Sequence, residues 1–151
     1  MPTISIYTDG ACSGNGKSDA TGGWGYIILG LKLFAIQGQG KEPSTTNQRM
    51  ELQAAIEALK RIEKISFADS ITLYTDSAYL SNCWKQNWWR TWISNGWRNS
   101  KKEPVANKDL WEQLVPWFDN VNFSIEKVKG HSGDKYNEIV DKLATGELQL
   151  K

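Results

Sequence analysis

The sequence predicts one α/β domain, residues 1–151, built on a mixed sheet with helices packed against it. Two observations carry that reading. The stretch Ser5-Ile6-Tyr7-Thr8-Asp9-Gly10 looks like a buried strand that ends in an acid and a glycine, and the ending recurs at Thr72-Leu73-Tyr74-Thr75-Asp76-Ser77. Between them lies an amphipathic helix that can return the chain through a right-handed crossover, so the two strands can lie side by side and parallel. Asp9 and Asp76 then meet at the carboxyl edge of the sheet, where open α/β sheets place ligands. Carboxylates that close repel and resist ionisation, and a divalent cation removes the conflict.

Each element follows from a local pattern. Residues 3–9 form the first strand, with Ile4 and Ile6 alternating with Ser5 and Tyr7. Residues 10–23, rich in Gly, Ser, Asn and Asp, read as a loop. Strands at 24–29 and 33–37, joined by a turn at Gly30, complete an antiparallel meander. The strongest helix covers 44–64, with Ser44 or Thr45 as its cap. Leu52, Ala55, Ile56, Leu59 and Ile62 recur at helical spacing on its core face. Glu51 sits at the margin of that stripe, where a carboxylate either snorkels to water or needs a partner. Just upstream, Thr45-Thr46-Asn47-Gln48 place hydrogen-bonding side chains at the helix's positive end, which suits a phosphate or sugar.

Residues 71–75 form the fourth strand, Ser77 opens another helix, and Asn107 caps a helix over 108–118. Residues 122–128 are the fifth strand, followed by the loop Lys129-Gly130-His131-Ser132-Gly133-Asp134 and a last helix over 135–147. On that helix Val140 and Leu143 pack, while Asp141 shares a stripe with Asn137, Ala144 and Leu148. His131 is the single histidine; held between glycines, it is either structural or a proton carrier near neutral pH.

The bulk properties narrow the class. A chain of 151 residues, 40% hydrophobic, is long enough for one core and lacks an apolar run that would span a membrane. Met1-Pro2-Thr3 runs straight into the first strand and leaves no room for a signal peptide. Two cysteines are too few for a disulfide framework, so the expected compartment is the cytoplasm. The net charge of +1 decides nothing by itself. Five of the eight Trp (Trp84, Trp88, Trp89, Trp92 and Trp97) fall within fourteen residues, interleaved with Lys85, Arg90 and Arg98. Such a cluster is either a satellite core or a surface offering charges to phosphates and rings to sugars or bases. A near match to a phosphate loop, Ala11 to Ser18, fails its context test because the glycine-rich stretch after it cannot open a helix.

The acids now stand as Asp9, Glu51, Asp76 and Asp141, with no Cys or His cluster beside them, a set suited to Mg²⁺ or Mn²⁺ rather than zinc. At this point the sequence resembles ribonuclease H of type 1 in its short bacterial form. The resemblance covers nearly the whole chain. It rests on Tyr7-Thr8-Asp9-Gly10-Ala11-Cys12 with Gly14-Asn15, on Thr45 to Leu52, on Tyr74-Thr75-Asp76-Ser77, on Asp109-Leu110-Trp111, and on Val128 to Gly133 with Asn137-Glu138 and Asp141. It implies a ribonuclease H-like fold, a five-stranded mixed sheet in the order 3-2-1-4-5 with helices on both faces. It also implies a monomer that hydrolyses the RNA strand of RNA/DNA hybrids, with little base-sequence specificity, leaving 5′-phosphate and 3′-hydroxyl ends. By residue match, Asp9, Glu51, Asp76 and Asp141 would hold two Mg²⁺ ions, with Mn²⁺ as a substitute, and His131 would assist proton movement or product release. Cys12, Asn15, Asn47 and Gln48 would line the hybrid's minor groove, Thr46 would meet a DNA phosphate, and Trp88, Trp92 and Trp97 would belong to the protrusion that handles DNA. The chain departs from the best-known form at Ala78, Ile93 and Ser94, and in a short last helix. A resolvase or integrase of the same superfamily, and a catalytically silent hybrid-binding module, are the competing readings.

Overall fold

Strand β1 (Thr3–Ser13) is the spine of the molecule, and its two neighbours are set by different forces. On one side it pairs antiparallel with β2 (Thr21–Leu31), which turns back into β3 (Phe34–Pro43). On the other side it pairs parallel with β4 (Ser70–Thr75), reached through helix α1 (Asn47–Ile65). The short β5 (Phe123–Lys127) adds parallel to β4, so the five-stranded sheet has the order β3-β2-β1-β4-β5. The remaining helices are α2 (Ala78–Lys85), α3 (Trp88–Asn95), α4 (Lys108–Phe118) and α5 (Lys135–Thr145). The computed structural model describes residues 3–13, 21–31, 34–65, 70–128 and 135–150.

Alternation along β1 assigns the two faces. Ile4 and Ile6 are fully buried in the core that α1 covers with Leu52, Ala55, Ile56, Leu59 and Ile62. Each such side chain contributes roughly 1.5–3 kcal/mol by leaving water. Tyr7 points the other way, stacks on Tyr74 of β4 at 4.7 Å, and meets Tyr136 of α5 at 5.3 Å. Helices therefore cover both faces, as the resemblance implies.

Several local expectations need correction. β1 does not stop at Asp9, and much of the expected 10–23 loop is strand, because Gly10 and Cys12 continue the ladder opposite Trp24 and Gly22. Gly10, Gly22 and Gly23 mark close helix packing instead of a turn. β3 likewise runs on to Pro43. Helix α1 begins at Asn47, and its cap is Thr46, whose Oγ1 accepts from the Arg49 N–H at 3.1 Å. Asn107 precedes α4 in a left-handed conformation (φ 62°), which asparagine tolerates, but its side chain does not cap. It accepts from Arg49 Nη1 at 3.2 Å and donates to the Tyr79 hydroxyl at 3.2 Å instead. The last helix ends at Thr145, where Gly146 (φ +86°) turns the chain.

Candidate active site

The parallel ladder between β1 and β4 ends at Tyr7 opposite Tyr74, two residues before Asp9. β1 continues beside β2 while β4 stops, and this leaves a notch at the carboxyl edge. Asp76 follows the last residue of β4. It is held there by its neighbours: the Ser77 N–H donates to Thr75 Oγ1 at 3.1 Å, and Ser77 Oγ accepts from the Leu80 N–H to cap α2.

Glu51 reaches the notch from the first turns of α1. The approach requires Gly10, since a Cβ at that position would sit 2.3 Å from the Met50 carbonyl carbon and 2.4 Å from the Glu51 nitrogen. Asp141 comes from the opposite face. In register, Asp9 lies opposite Gly25 of β2, and Gly25 has no side chain to hold off α5; a Cβ there would lie 2.5 Å from Leu143 Cβ. Bare backbone under the helix lets α5 settle over the row that carries Asp9.

Carboxylate oxygens of Asp9, Glu51 and Asp76 lie within 4.8 Å of one another, the one such cluster among the described residues. Asp9 is 5% exposed. Burial first, and then the Asp76 charge, push its carboxyl up from its ordinary 3.8 to about 7. A hydrogen bond and the charge of Asp141 act in the same direction, while a hydrogen bond from Glu51 opposes them. Glu51 is raised well above the usual carboxylate range, by burial and then by Asp9 and Asp76. Its Oε2 is buried and accepts no hydrogen bond. Asp9 and Glu51, which resist ionisation, and Asp76 beside them, with one Glu51 oxygen lacking a hydrogen-bond partner, form a donor set that a hard divalent cation would complete.

The other expected residues are placed unevenly. Cys12 is half-buried on the α1 side of β1, its thiol donating to the Thr45 carbonyl at 3.4 Å. Asn47 and Gln48 are exposed on the first turn of α1, beside the capping Thr46. Trp88, Trp92 and Trp97 are half-buried and packed against the core. Their rings form a ladder, Trp88 to Trp92 at 6.3 Å and Trp92 to Trp97 at 5.9 Å, which joins buried Trp111 at 5.5 Å. These rings pack against the main core and keep their remaining faces half-exposed. Arg90 lies over Trp89, 4.4 Å from the ring centre. His131 and Asn15 lie outside the described residues.

Two features of the site region went unread in the sequence. One is the run of β2 glycines under α5, for which the period-two spacing of Gly23 and Gly25 was an available signal. The other is the clasp of Arg49 on Asp109 (3.0 and 2.7 Å), which ties the start of α1 to α4 and left no local signal.

Comparisons with known proteins agree with this geometry. The family profile described as RNase H matches residues 1–149. The Ribonuclease H of Syntrophomonas wolfei subsp. wolfei is 49% identical over 149 residues, covering 99% of this chain and 98% of that protein. That of Acetivibrio thermocellus is 47% identical over 149 residues, covering 99% and 97%. Among solved structures, LC9-RNase H1, described as a type 1 RNase H with the type 2 active-site motif, superposes with a TM-score of 0.80 at 28% identity, over 96% of this chain and 71% of that one. The RNase H domain of PFV, solved in solution, gives 0.73 at 26% identity, over 96% and 93%.

Proposed function

The chain belongs to the ribonuclease H family, and from that premise we propose that it cuts the RNA strand of RNA/DNA hybrids as an endonuclease, leaving 5′-phosphate and 3′-hydroxyl ends. The observation that carries the reading is the cluster of buried Asp9 with half-buried Glu51 and Asp76, Glu51 Oε2 being unpartnered. Asp9, Glu51, Asp76 and Asp141 would hold two Mg²⁺ ions, or Mn²⁺ in their place. Those ions would supply an acidified water and an electrostatic clamp on the scissile phosphate.

The chain's own residues then have five roles. Asp9 gives up its proton at a pH near its raised value of about 7 and becomes available as an oxygen donor. Thr46 fixes the first turn of α1, and so holds Glu51 one turn further on while Asn47 and Gln48 face outward. Cys12, Asn15, Asn47 and Gln48 would meet the hybrid's minor groove, where 2′-hydroxyls distinguish RNA from DNA. His131 would carry protons or speed product departure. Trp88, Trp92 and Trp97, with the exposed cations around them, would take the DNA strand, so that shape and not base sequence selects the substrate. Ala78 and Ser94 are exposed, as is Ile93 at 51%; their side chains are open to solvent where the best-known form contacts nucleic acid. Among the described residues no helix is long and apolar enough to cross a membrane, and the reading takes the protein as a cytoplasmic monomer.

The test is cleavage of an end-labelled RNA/DNA hybrid in Mg²⁺, beside double-stranded RNA, double-stranded DNA, an EDTA control and the Asp9→Asn variant. Cutting confined to the RNA strand of the hybrid, and lost in both controls, is the expected result. Hybrid binding with no cutting in Mg²⁺ or Mn²⁺ would sink the nuclease reading and leave a binding module.

A further inference from the structure

One transverse row of the sheet joins Asp9 to a residue outside the motifs that carry the family resemblance. Asp9 of β1 lies opposite Gly25 of β2, and Gly25 lies opposite Gln39 of β3. Residues paired in this way share a face, and here it is the face under α5. The helix crosses the row with Asp141 at the Asp9 end, Leu143 over Gly25, and its carboxyl terminus at the Gln39 end.

Gln39 grips that terminus. Its Nε2 donates to the Leu143 carbonyl at 3.1 Å and to the Leu148 carbonyl at 2.9 Å, and its Oε1 accepts from the Leu150 N–H. One amide thus holds three backbone groups of the C-terminal segment. The Leu143 carbonyl lies in the last turn of α5 and also accepts from the Gly146 N–H at 3.4 Å, and the Leu148 carbonyl lies just beyond the helix. The return of the chain at Gly146 and the bond from the Leu148 N–H to the Lys142 carbonyl at 3.0 Å bring the tail within reach. Gly23 and Gly25 set how closely α5 approaches the sheet, and buried Val140, Leu143 and Ala144 hold it down. The Gln39 amide adds a directional polar hold along the row, two residues beyond Asp141.

We propose that Gln39 is a positioning residue for Asp141, its amide holding α5 in the place along the Gln39–Gly25–Asp9 row that brings the Asp141 carboxylate to the metal-binding acids. The proposal rests on the reading of Asp141 as a metal ligand. An orienting partner behind a metal ligand typically changes metal affinity by 10-fold or more.

Gln39→Leu removes the amide and keeps an apolar side chain of similar bulk. Gln39→Glu keeps the acceptor for Leu150 and loses both donors. Mn²⁺ affinity is measured by calorimetry without substrate, Mg²⁺ half-saturation in hybrid cleavage, and folding by thermal melts. Both variants should remain folded and weaken Mn²⁺ binding by about tenfold. The Mg²⁺ half-saturation should rise by a similar factor, while kcat at saturating Mg²⁺ changes by less than about twofold, as expected when ligand placement and not the chemistry is disturbed. In the Asp141→Asn background, Gln39→Leu should add nothing further. An unchanged metal affinity with a lower melting temperature would overturn the proposal, as would an equal effect of Gln39→Leu with and without Asp141. Asp141→Asn alone separates the two layers. Parent-like metal affinity there sinks the reading of Asp141 and the positioning role with it. Weakened affinity there, beside parent-like affinity in Gln39→Leu, overturns the positioning role only.

Discussion

Asp9 concentrates the energetics of the site in one side chain. In the fold it holds its proton up to about pH 7, whereas its ordinary value is 3.8. Between those values the folded metal-free chain binds more protons than the unfolded one, so this group makes stability fall as pH rises through that window. Asp9→Asn should therefore stabilise the metal-free protein at pH 8 by up to about 4 kcal/mol, the scale of a shift of about three pKa units, and change little at pH 4. Urea unfolding in EDTA at the two pH values checks this; an equal gain at both would mean that relief of charge is not the cause. Metal follows the opposite sign, because cation and proton compete for the same oxygen. Apparent Mg²⁺ affinity should climb up to about pH 7 and level off above it, with proton uptake by the buffer seen in calorimetry. A flat profile between pH 6 and 8 would show that Asp9 is already ionised before metal arrives. At this scale the sequence was informative for a simple reason. Two strands with the same Tyr-Thr-Asp ending put Asp9 and Asp76 in parallel register, and backbone topology alone brings them together. Glu51 was legible only as an uncomfortable acid at the edge of an apolar stripe, and the raised pKa of Asp9 required knowing what buries it.

At the scale of elements, glycine decides how closely helices meet strands. Gly10 and Gly96 give a controlled comparison. A Cβ at Gly10 collides with the backbone of Met50 and Glu51 at 2.3 and 2.4 Å, and backbone cannot swing aside. At Gly96 (φ +78°) nothing lies within 4 Å, so the one penalty is the left-handed conformation. Gly96→Ala should cost about 1 kcal/mol, and Gly10→Ala about 3 kcal/mol, at the upper end for forced overpacking, with hybrid cleavage reduced because Glu51 moves. Equal costs in urea unfolding would show that α1 slides freely and that its seating does not set the position of Glu51. The same pair explains what could and could not be read in advance. Glycines at 10, 22 and 23 look like a loop by composition, because the sequence signal for a turn and the signal for a bare strand under a helix are the same residue. Existence and type came through for most elements, α1 by its 3.6-residue stripe and β4 by its alternation, but α3 inside the Trp-rich segment gave no such signal. The elements' ends did not come through: β1 runs to Ser13 because distant β2 pairs with it, and Ser44, Thr45 and Thr46 are all cap-type residues that composition does not rank. The Arg49–Asp109 clasp is a weaker constraint. Both side chains are well exposed, 34% and 63%, so it contributes under about 1 kcal/mol and orients α4 more than it stabilises it.

Over the whole molecule, charge is nearly balanced but unevenly spread. The net charge is +1, yet residues 84–103 carry Lys85, Arg90, Arg98, Lys101 and Lys102 against Glu103 alone. All five cations are exposed. The Trp rings beneath them are partly consumed by packing, since Trp92 sits 5.5 Å from core Trp111 and Trp89 is 4% exposed. Composition could not divide packing from binding here, because a ring with one face on the core and one on solvent serves both. The proposed function places electrostatic capture on this segment and chemistry on the acids at the sheet edge. Each phosphate neutralised releases counterions, so the logarithm of hybrid affinity should fall linearly with the logarithm of salt concentration. Neutralising Arg90, Lys101 and Lys102 together, each to Gln, should flatten that slope by about 2 to 3, near one for each phosphate left without its cation. It should raise KM several-fold at moderate salt while leaving kcat at saturating hybrid close to the parent, because none of the three belongs to the carboxylate cluster. Fluorescence anisotropy of a labelled hybrid, titrated in Ca²⁺ to hold back cleavage and repeated across a salt series, gives the slopes. If the triple variant keeps the parent slope, hybrid is held elsewhere, and the Trp-rich segment is a packing device with solvated charges around it.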